Sequence, residues 1–440
     1  MPNSHRNSAW LIYLFIVGVY FALAIYNPVA YVWLTYEDLY GEWLQTWLFV
    51  AIFVLAAAVA RKPGPYRWFF VFLSVAGFYT FMEEISWGQR LFDVESPDFF
   101  DEYNIQSETN LHNFLTGPES TILKDVVEYT LAAALLTYGL IYPLLLRMRS
   151  APAVFLNNLG VVPPPLYLAV FFVTAAPLEI GVLDFNEAEV AEILVGTSLS
   201  IMLLHYLLVG FRDSANGLPG IPDVPTARLL SVMYAAGFLG LVTLAYGTTA
   251  IVNTSEEIRY RTEGRIINGY KKYARRFEDR QRWSGAAEFY RRVYAAIPED
   301  VEMLRHAINN YKAAGDMDNY RKYYRQLLEL TATPDAVAAT GVDTQLSFAQ
   351  SYAEIGESAA VQQFLDRALF FATERVKRFP KNPENHYWLG RARQQRGEYA
   401  EALAAYEAAV TLGPENKRYR SVLKILKRRV GELAGDKPAD

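Results

Sequence analysis

Residues 227–251 read ARLLSVMYAAGFLGLVTLAYGTTAI, and residues 252–276, directly after them, read VNTSEEIRYRTEGRIINGYKKYARR. The first stretch is long and apolar enough to cross a bilayer core, which takes about 20 mainly apolar residues per helix. The second interleaves acidic and basic side chains and belongs in water. The change at Asn253 therefore divides the chain. Nearly all the long apolar runs lie before it, so the averages of 52% hydrophobic and 20% charged residues describe neither half.

Before Asn253 the same pattern predicts spans at 9–34, 43–60, 66–88, 126–146, 164–185, 189–211 and 227–251, about seven in all. Charged or Pro/Gly-rich punctuation bounds them, as in Arg61-Lys62-Pro63-Gly64-Pro65 and Pro163-Pro164-Pro165. Trp10, Trp33, Tyr36, Trp43, Trp47, Tyr66 and Trp68 crowd the ends, where an apolar ring with a polar tip fits the headgroup level. Arg6 followed by Ala22-Leu23-Ala24 resembles a signal peptide with its cleavage site. The apolar run continues through Val29 to Leu34, however, so the expectation is an uncleaved first helix.

Basic residues in short loops set the expected orientation, an N-terminus in the cytoplasm. That choice places Arg6, then Arg61, Lys62 and Arg67, then Arg147 and Arg149, then Arg212 and Arg228 on the cytoplasmic side. The opposite loops hold Arg90 and Lys124 and are otherwise acidic, with Glu37, Asp38, Glu42, Asp184, Glu187 and Glu189. An odd number of spans then puts the C-terminal half on the non-cytoplasmic face, as in a bacterial inner-membrane protein. Arg259, Arg261, Arg265, Lys271 and Lys272 argue the other way, but long domains translocate largely regardless of charge. The net charge of −5, with no long block of one sign, gives no reason to expect a nucleic-acid partner. With 0 cysteines, disulfides, thiolate metal sites and cysteine nucleophiles are excluded.

Beyond about Tyr270 the chain repeats a helix–turn–helix unit. The clearest copy is His386-Tyr387-Trp388-Leu389-Gly390, then Gly397-Glu398-Tyr399, then Ala402, Tyr406, Ala409 and Pro414. Gly390 and Ala402 let two helices approach, Tyr406 fills the gap between them, and Pro414 ends the second helix. In this spacing the segment resembles the tetratricopeptide repeat, although Arg393 stands where that family usually has an aromatic residue. Weaker copies run through Trp283, Gly285, Ala286, Tyr290, Val293 and Pro298, through Gly315, Met317, Tyr320, Tyr324 and Leu327, and through Gly356, Ala360, Leu365 and Ala368. Tyr419, Val422, Leu423 and Leu426 give 415–430 the character of a capping helix. The resemblance implies a stack with a concave surface for partner proteins.

The expected fold class is all-α: a polytopic transmembrane helix bundle followed by a tetratricopeptide-type α-solenoid. The expected boundaries are 1–252 for the bundle, 253–269 for a connecting segment, 270–430 for the repeats and 431–440 for a disordered tail.

Polar groups gather at the non-cytoplasmic ends of the spans, where ionisable side chains are costly unless they face the bundle interior or water. The third span ends in Met82-Glu83-Glu84-Ile85-Ser86-Trp87-Gly88-Gln89-Arg90, and the next loop contains Asn104-Ile105-Gln106-Ser107-Glu108-Thr109-Asn110-Leu111-His112-Asn113. Glu179, Glu187, Glu189 and Glu192 join them by loop parity. On a continuous helix Glu83, Trp87 and Arg90 share a face, as do Glu189 and Glu192, and a helical loop would set Glu108 one turn from His112. As metal ligands the candidates are Glu83, Glu84, Glu108, His112, Glu189 and Glu192, a hard-oxygen set with one imidazole that suits a divalent cation without selecting one. As catalytic groups they are Glu83 or Glu84 as general base, His112 as acid or base, and Arg90 as the holder of an anionic group such as a lipid phosphate. A solvated, self-paired interface and a docking pocket without chemistry remain alternatives. His205 lies deep in the sixth span and reads as a packing or hydrogen-bonded histidine.

No phosphate loop, nucleophile elbow or H-E-x-x-H motif occurs. Two functions remain: a membrane scaffold or accessory subunit whose repeats recruit proteins, and a metal-dependent membrane enzyme acting on a lipid or lipid-linked substrate. Membrane lipids are expected partners in both.

Overall fold

The computed structural model describes residues 3–36, 39–89, 97, 99, 109, 122–183, 185–212, 217–331 and 341–433. Among these the secondary structure is helical, apart from a single antiparallel bridge between Phe211 and Pro219. The chain forms two compact units, Met1–Tyr273 and Ala274–Asp440.

The first unit begins with α1 (Ser4–Tyr26) and α2 (Pro28–Thr35). The single helix expected over 9–34 is thus broken. Pro28 disfavours helical geometry at Asn27, and the freed Asn27 side chain caps α2 by accepting from the Ala30 amide at 3.2 Å. Next come α3 (Tyr40–Ala60) and α4 (Arg67–Glu84), which pack against each other. The fourth apolar stretch is α5 (Ile122–Leu136), a π-turn at Thr137–Ile141, and α6 (Tyr142–Arg147). Pro143 has no N–H to continue the ladder, so the helix widens just before it. A short α7 (Ala151–Asn158) leads to α8 (Ala169–Glu179).

The stretch expected to span from 164 to 185 is helical only over Leu166–Glu179, too short to count among the candidates for crossing. Beyond it Gly181 takes φ +73°, and the Glu187 carboxylate accepts from the amides of Leu183 and, at 2.6 Å, Phe185. That carboxylate holds the segment as a loop. α9 (Ala188–Leu208) is the central helix, packed on α3 and α8, and α10 (Val224–Val252) packs on α1 and α3.

Among the described residues five segments are long and apolar enough to cross a membrane: Ser4–Tyr26, Pro28–Ala60, Asp125–Arg147, Ala188–Leu208 and Val224–Val252. Their packing separates them. α9 is 72% buried over its most apolar window, whereas α1 and α10 are 22% buried and turn Leu11, Leu14, Phe15, Val232 and Leu239 outward. Apolar residues exposed in this density are what a lipid-facing surface requires.

α11 (Glu256–Asp279) is a continuous helix that contains the boundary between the units. Within the second unit α12 (Trp283–Ala296) and α13 (Val301–Ala314) form a pair, and α14 (Met317–Thr331) packs on α13. The pairs α15 (Val342–Glu354) with α16 (Ser358–Arg378) and α17 (Pro383–Gln395) with α18 (Tyr399–Leu412) follow, and α19 (Lys417–Leu433) covers α18. The expected tail begins inside α19, and 434–440 lie outside the described residues. Gly315, Gly356 and Gly397 sit at the tight turns from α13 to α14, α15 to α16 and α17 to α18, all with φ near +80° (75°, 77° and 82°), a geometry that favours glycine.

Candidate functional site

The polar ends of several first-unit helices converge. α4 stops at Glu84 rather than continuing to Arg90, because Ser86 (φ 47°), Trp87 (φ 54°) and Gly88 (φ 90°) turn left-handed one after another. Glu83 and Trp87 therefore do not share a continuous helix, and Arg90 lies outside the described residues. Glu83 and Trp87 still meet, since the indole Nε1 donates to Glu83 Oε1 at 2.8 Å. Two consecutive non-glycine residues in this region are costly, and such strain concentrates at functional positions.

Glu192, on the central helix, has the carboxylates of Glu189, Glu84, Glu179 and Glu42 as its charged neighbours. Glu179 in turn has Glu128 beside it. Contributions thus come from α3, α4, α5, α8 and α9. The buried Gln45 on α3 donates through Nε2 to Glu189 Oε2 at 2.8 Å and to the Glu189 carbonyl at 3.0 Å, fixing one acid in place.

Of the residues chosen from the sequence, Glu84, Glu189 and Glu192 come together. Glu83 accepts from Trp87. Arg90, Glu108 and His112 lie outside the described residues. Thr109, between the last two, donates its amide to Gln89 Oε1 at 2.8 Å. Among the described residues no three His, Asp or Glu side chains form a group able to hold a metal ion. Glu42, Glu128 and Glu179 were not among the chosen ligands. The signal for them was parity, since each lies near the non-cytoplasmic end of its predicted span.

The stretch of α11 around Tyr270–Tyr273, still within the first unit, sits against this end. Tyr273 donates its hydroxyl to the Phe185 carbonyl at 2.7 Å, Lys272 Nζ reaches Asn186 Oδ1 at 3.0 Å, and Trp33 Nε1 donates to the Tyr270 hydroxyl at 3.2 Å. His205 is buried and hydrogen-bonded at the far part of α9, its Nε2 3.0 Å from the Gly220 carbonyl.

In the second unit a Cβ on Gly390 would lie 2.7 Å from the ring of Tyr406. α17 and α18 thus touch backbone to ring, and the buried Tyr406 hydroxyl donates to Gln394 Oε1 at 2.8 Å. Arg393, the departure from the expected aromatic, pairs with Glu398 across the turn at 3.3 Å. The family model of the tetratricopeptide repeat matches 383–416, the segment built by α17, α18 and their flanking turns. Residues 383–416 are a tetratricopeptide repeat. A similar approach of glycine to ring joins Gly285, whose Cβ would lie 2.4 Å from the ring of Phe277, to the end of α11.

No curated protein matches the chain. Solved structures similar to it include the MamA RS-1 ArsTM double mutant, 17% identical, covering 39% of this chain and 88% of its own with a TM-score of 0.23. A crystal structure of MamA protein is 19% identical, covers 39% of this chain and 83% of its own, and has a TM-score of 0.23. The tetratricopeptide assignment rests on the matched residues and their packing.

Proposed function

We propose that the chain is a membrane scaffold: a bundle of about seven spans with a cytoplasmic N-terminus, carrying a tetratricopeptide-repeat unit that binds partner proteins on the non-cytoplasmic side. The carrying observation is that one chain joins helices with outward apolar faces to a stacked repeat unit. The contact of Lys272 with Asn186 supports the side chosen, because it sets the basic run after α10 beside the loop predicted to be non-cytoplasmic. The test compares proteins cross-linked to the full-length chain in its native membrane with those captured by a chain lacking 274–440. A specific protein lost with the deletion is expected, and identical captured sets would overturn the reading.

A second reading has its own support. The carboxylates of Glu42, Glu84, Glu179, Glu189 and Glu192 lie near one another beside a strained turn, and although they form no metal-holding group among the described residues, their charge concentration supports a metal-dependent membrane enzyme acting on a lipid or lipid-linked substrate. Arg90, Glu108 and His112 would complete it. Stoichiometric metal in the purified chain, lost in a Glu84→Ala, His112→Ala variant, would favour this reading, and equal metal content in both would count against it.

A further inference from the structure

The connection from the fourth to the fifth apolar stretch differs from the others predicted to share its side. Residues 61–65 and 209–223 carry Arg61, Lys62, Arg212, Asp213 and Asp223. Residues 150–178, which include α7, hold no charged side chain at all. α7 packs on α6 through Ala153 and Val154, against Tyr142 and Leu146. Its other side, with Met148 just before it, is apolar and open. Met148, Phe155 and Leu159 are 75%, 62% and 52% exposed, and Leu156 lies beside them. In water each such side chain would forfeit about 1.5–3 kcal/mol relative to full burial.

Both ends of α7 lie at the ends of longer helices. It starts just after Arg149, where α6 stops. The Leu159 carbonyl at its other end accepts from Trp68 Nε1 at 2.8 Å, at the start of α4. Gly160 takes φ +90° there and leaves the space that the indole fills. Arg67, Arg147 and Arg149 are exposed around the same ends, the mix of basic and aromatic side chains found where helices leave a bilayer. The chain beyond α7 then runs in among the helices. Tyr142, Tyr138 and Tyr206 donate their hydroxyls to the successive carbonyls of Val161, Val162 and Pro163 at 2.6, 3.0 and 2.7 Å. Pro163, Pro164 and Pro165 have no N–H to satisfy. Paired carbonyls and missing donors are what non-helical backbone needs in surroundings without water.

The outward residues of both neighbouring helices are apolar too, with Val71, Phe72 and Val75 on α4 and Ile141 and Leu144 on α6. Those helices are read as crossing the bilayer, so one occupant covers all three faces. A protein partner would call for a polar rim around an apolar centre. From 150 to 162 the polar side chains are Ser150, Asn157 and Asn158, and of these Ser150 Oγ and Asn157 are buried. We propose that α7 lies in the plane of the membrane. Met148, Phe155, Leu156 and Leu159 enter the acyl chains of the leaflet that meets Arg67, Arg147 and Arg149, and the three guanidinium groups meet its phosphates. The inference rests on the membrane reading above.

The chain has 0 cysteines, so Phe155→Cys or Leu159→Cys in the full-length protein takes a single nitroxide label without background. In vesicles of phosphatidylcholine and phosphatidylglycerol, the label's collisions with oxygen, which concentrates in lipid, are compared with its collisions with a water-soluble nickel chelate. Val232→Cys on the outward face of α10 and Lys381→Cys in the exposed turn before α17 give the lipid and water references. Both α7 labels should favour oxygen as Val232 does, at a depth about 5–10 Å below the headgroups. Labels that favour the nickel chelate, as Lys381 does, would put α7 in water. Labels shielded from both would put a protein surface on it, such as a second copy of the chain. Either result overturns the proposal. If the Val232 label itself favours the nickel chelate, the membrane reading fails as a whole, an outcome distinct from failure at α7 alone.

Discussion

Trp87 donates its indole N–H to Glu83 at 2.8 Å from a left-handed backbone, so the residue that pins this carboxylate is itself held against its conformational preference. Left-handed geometry costs an L-residue about 1–2 kcal/mol. Ser86, fully buried and also left-handed, carries the same cost. Ser86→Gly should therefore raise the unfolding temperature of the first unit by a few degrees in a thermal scan. Trp87→Phe, which keeps the ring and loses the donor, should lower it. If Ser86→Gly stabilises the protein and impairs its function, the strain belongs to the site.

Gly390 gives a sharper test of the repeat unit. A methyl group there would meet the fully buried Tyr406 ring at 2.7 Å. Gly390→Ala should destabilise the unit by about 1–3 kcal/mol, the usual range for overpacking. Gly431→Ala, on a helix with open space at that position, should change little and serves as the control. Urea titration followed by limited proteolysis distinguishes the two.

The repeat unit should also lose stability in acid. Burial pushes the Glu288 carboxyl upward, but the Arg291 guanidinium at 2.7 and 2.9 Å, with Arg292 beside it, outweighs this and holds it below its ordinary 4.5. The Tyr320 hydroxyl and Lys312 do the same for Glu354. A carboxyl depressed by folding contributes stability that is complete above its ordinary value and lost as pH falls through the folded value. The midpoint of unfolding should fall as the pH drops below about 4.5, the ordinary value for both groups. A Glu288→Gln, Glu354→Gln variant should show a shallower decline over the same window.

What the sequence revealed depended on whether a local pattern carried the information. The repeat at 383–416 was legible because Gly390, Ala402, Tyr406 and Pro414 are each dictated by one contact or one helix end. Helix interruptions were harder. Asn27-Pro28 breaks a run that is apolar throughout, and composition alone does not distinguish that from a continuous span. Pro143 produced a π-turn where an uninterrupted helix was expected, because the chain could relax without stopping. At the candidate site the members at span ends followed from parity, but which carboxylate faces which did not. Glu83 and Glu84 are adjacent in sequence, yet the turn after Glu84 sends one to Trp87 and leaves the other with Glu192.

Membrane topology separates two counts of spans. If all the predicted spans cross, including those built on α4 and on Leu166–Glu179, a reporter inserted after Pro97 faces the non-cytoplasmic side and one after Asn158 faces the cytoplasm. If only the five longest apolar segments cross, both assignments reverse. Either count leaves the N-terminus and the repeat unit on opposite sides, so a C-terminal fusion alone cannot distinguish them. Arg147 and Arg149 favour a cytoplasmic Asn158, by the bias of basic residues toward that face. Paired reporters, one active only inside and one only outside, should therefore read Asn158 as inside and Pro97 as outside. The reverse result would leave α4 and Leu166–Glu179 as non-crossing segments and move the Glu84 end of the candidate site to the cytoplasmic face.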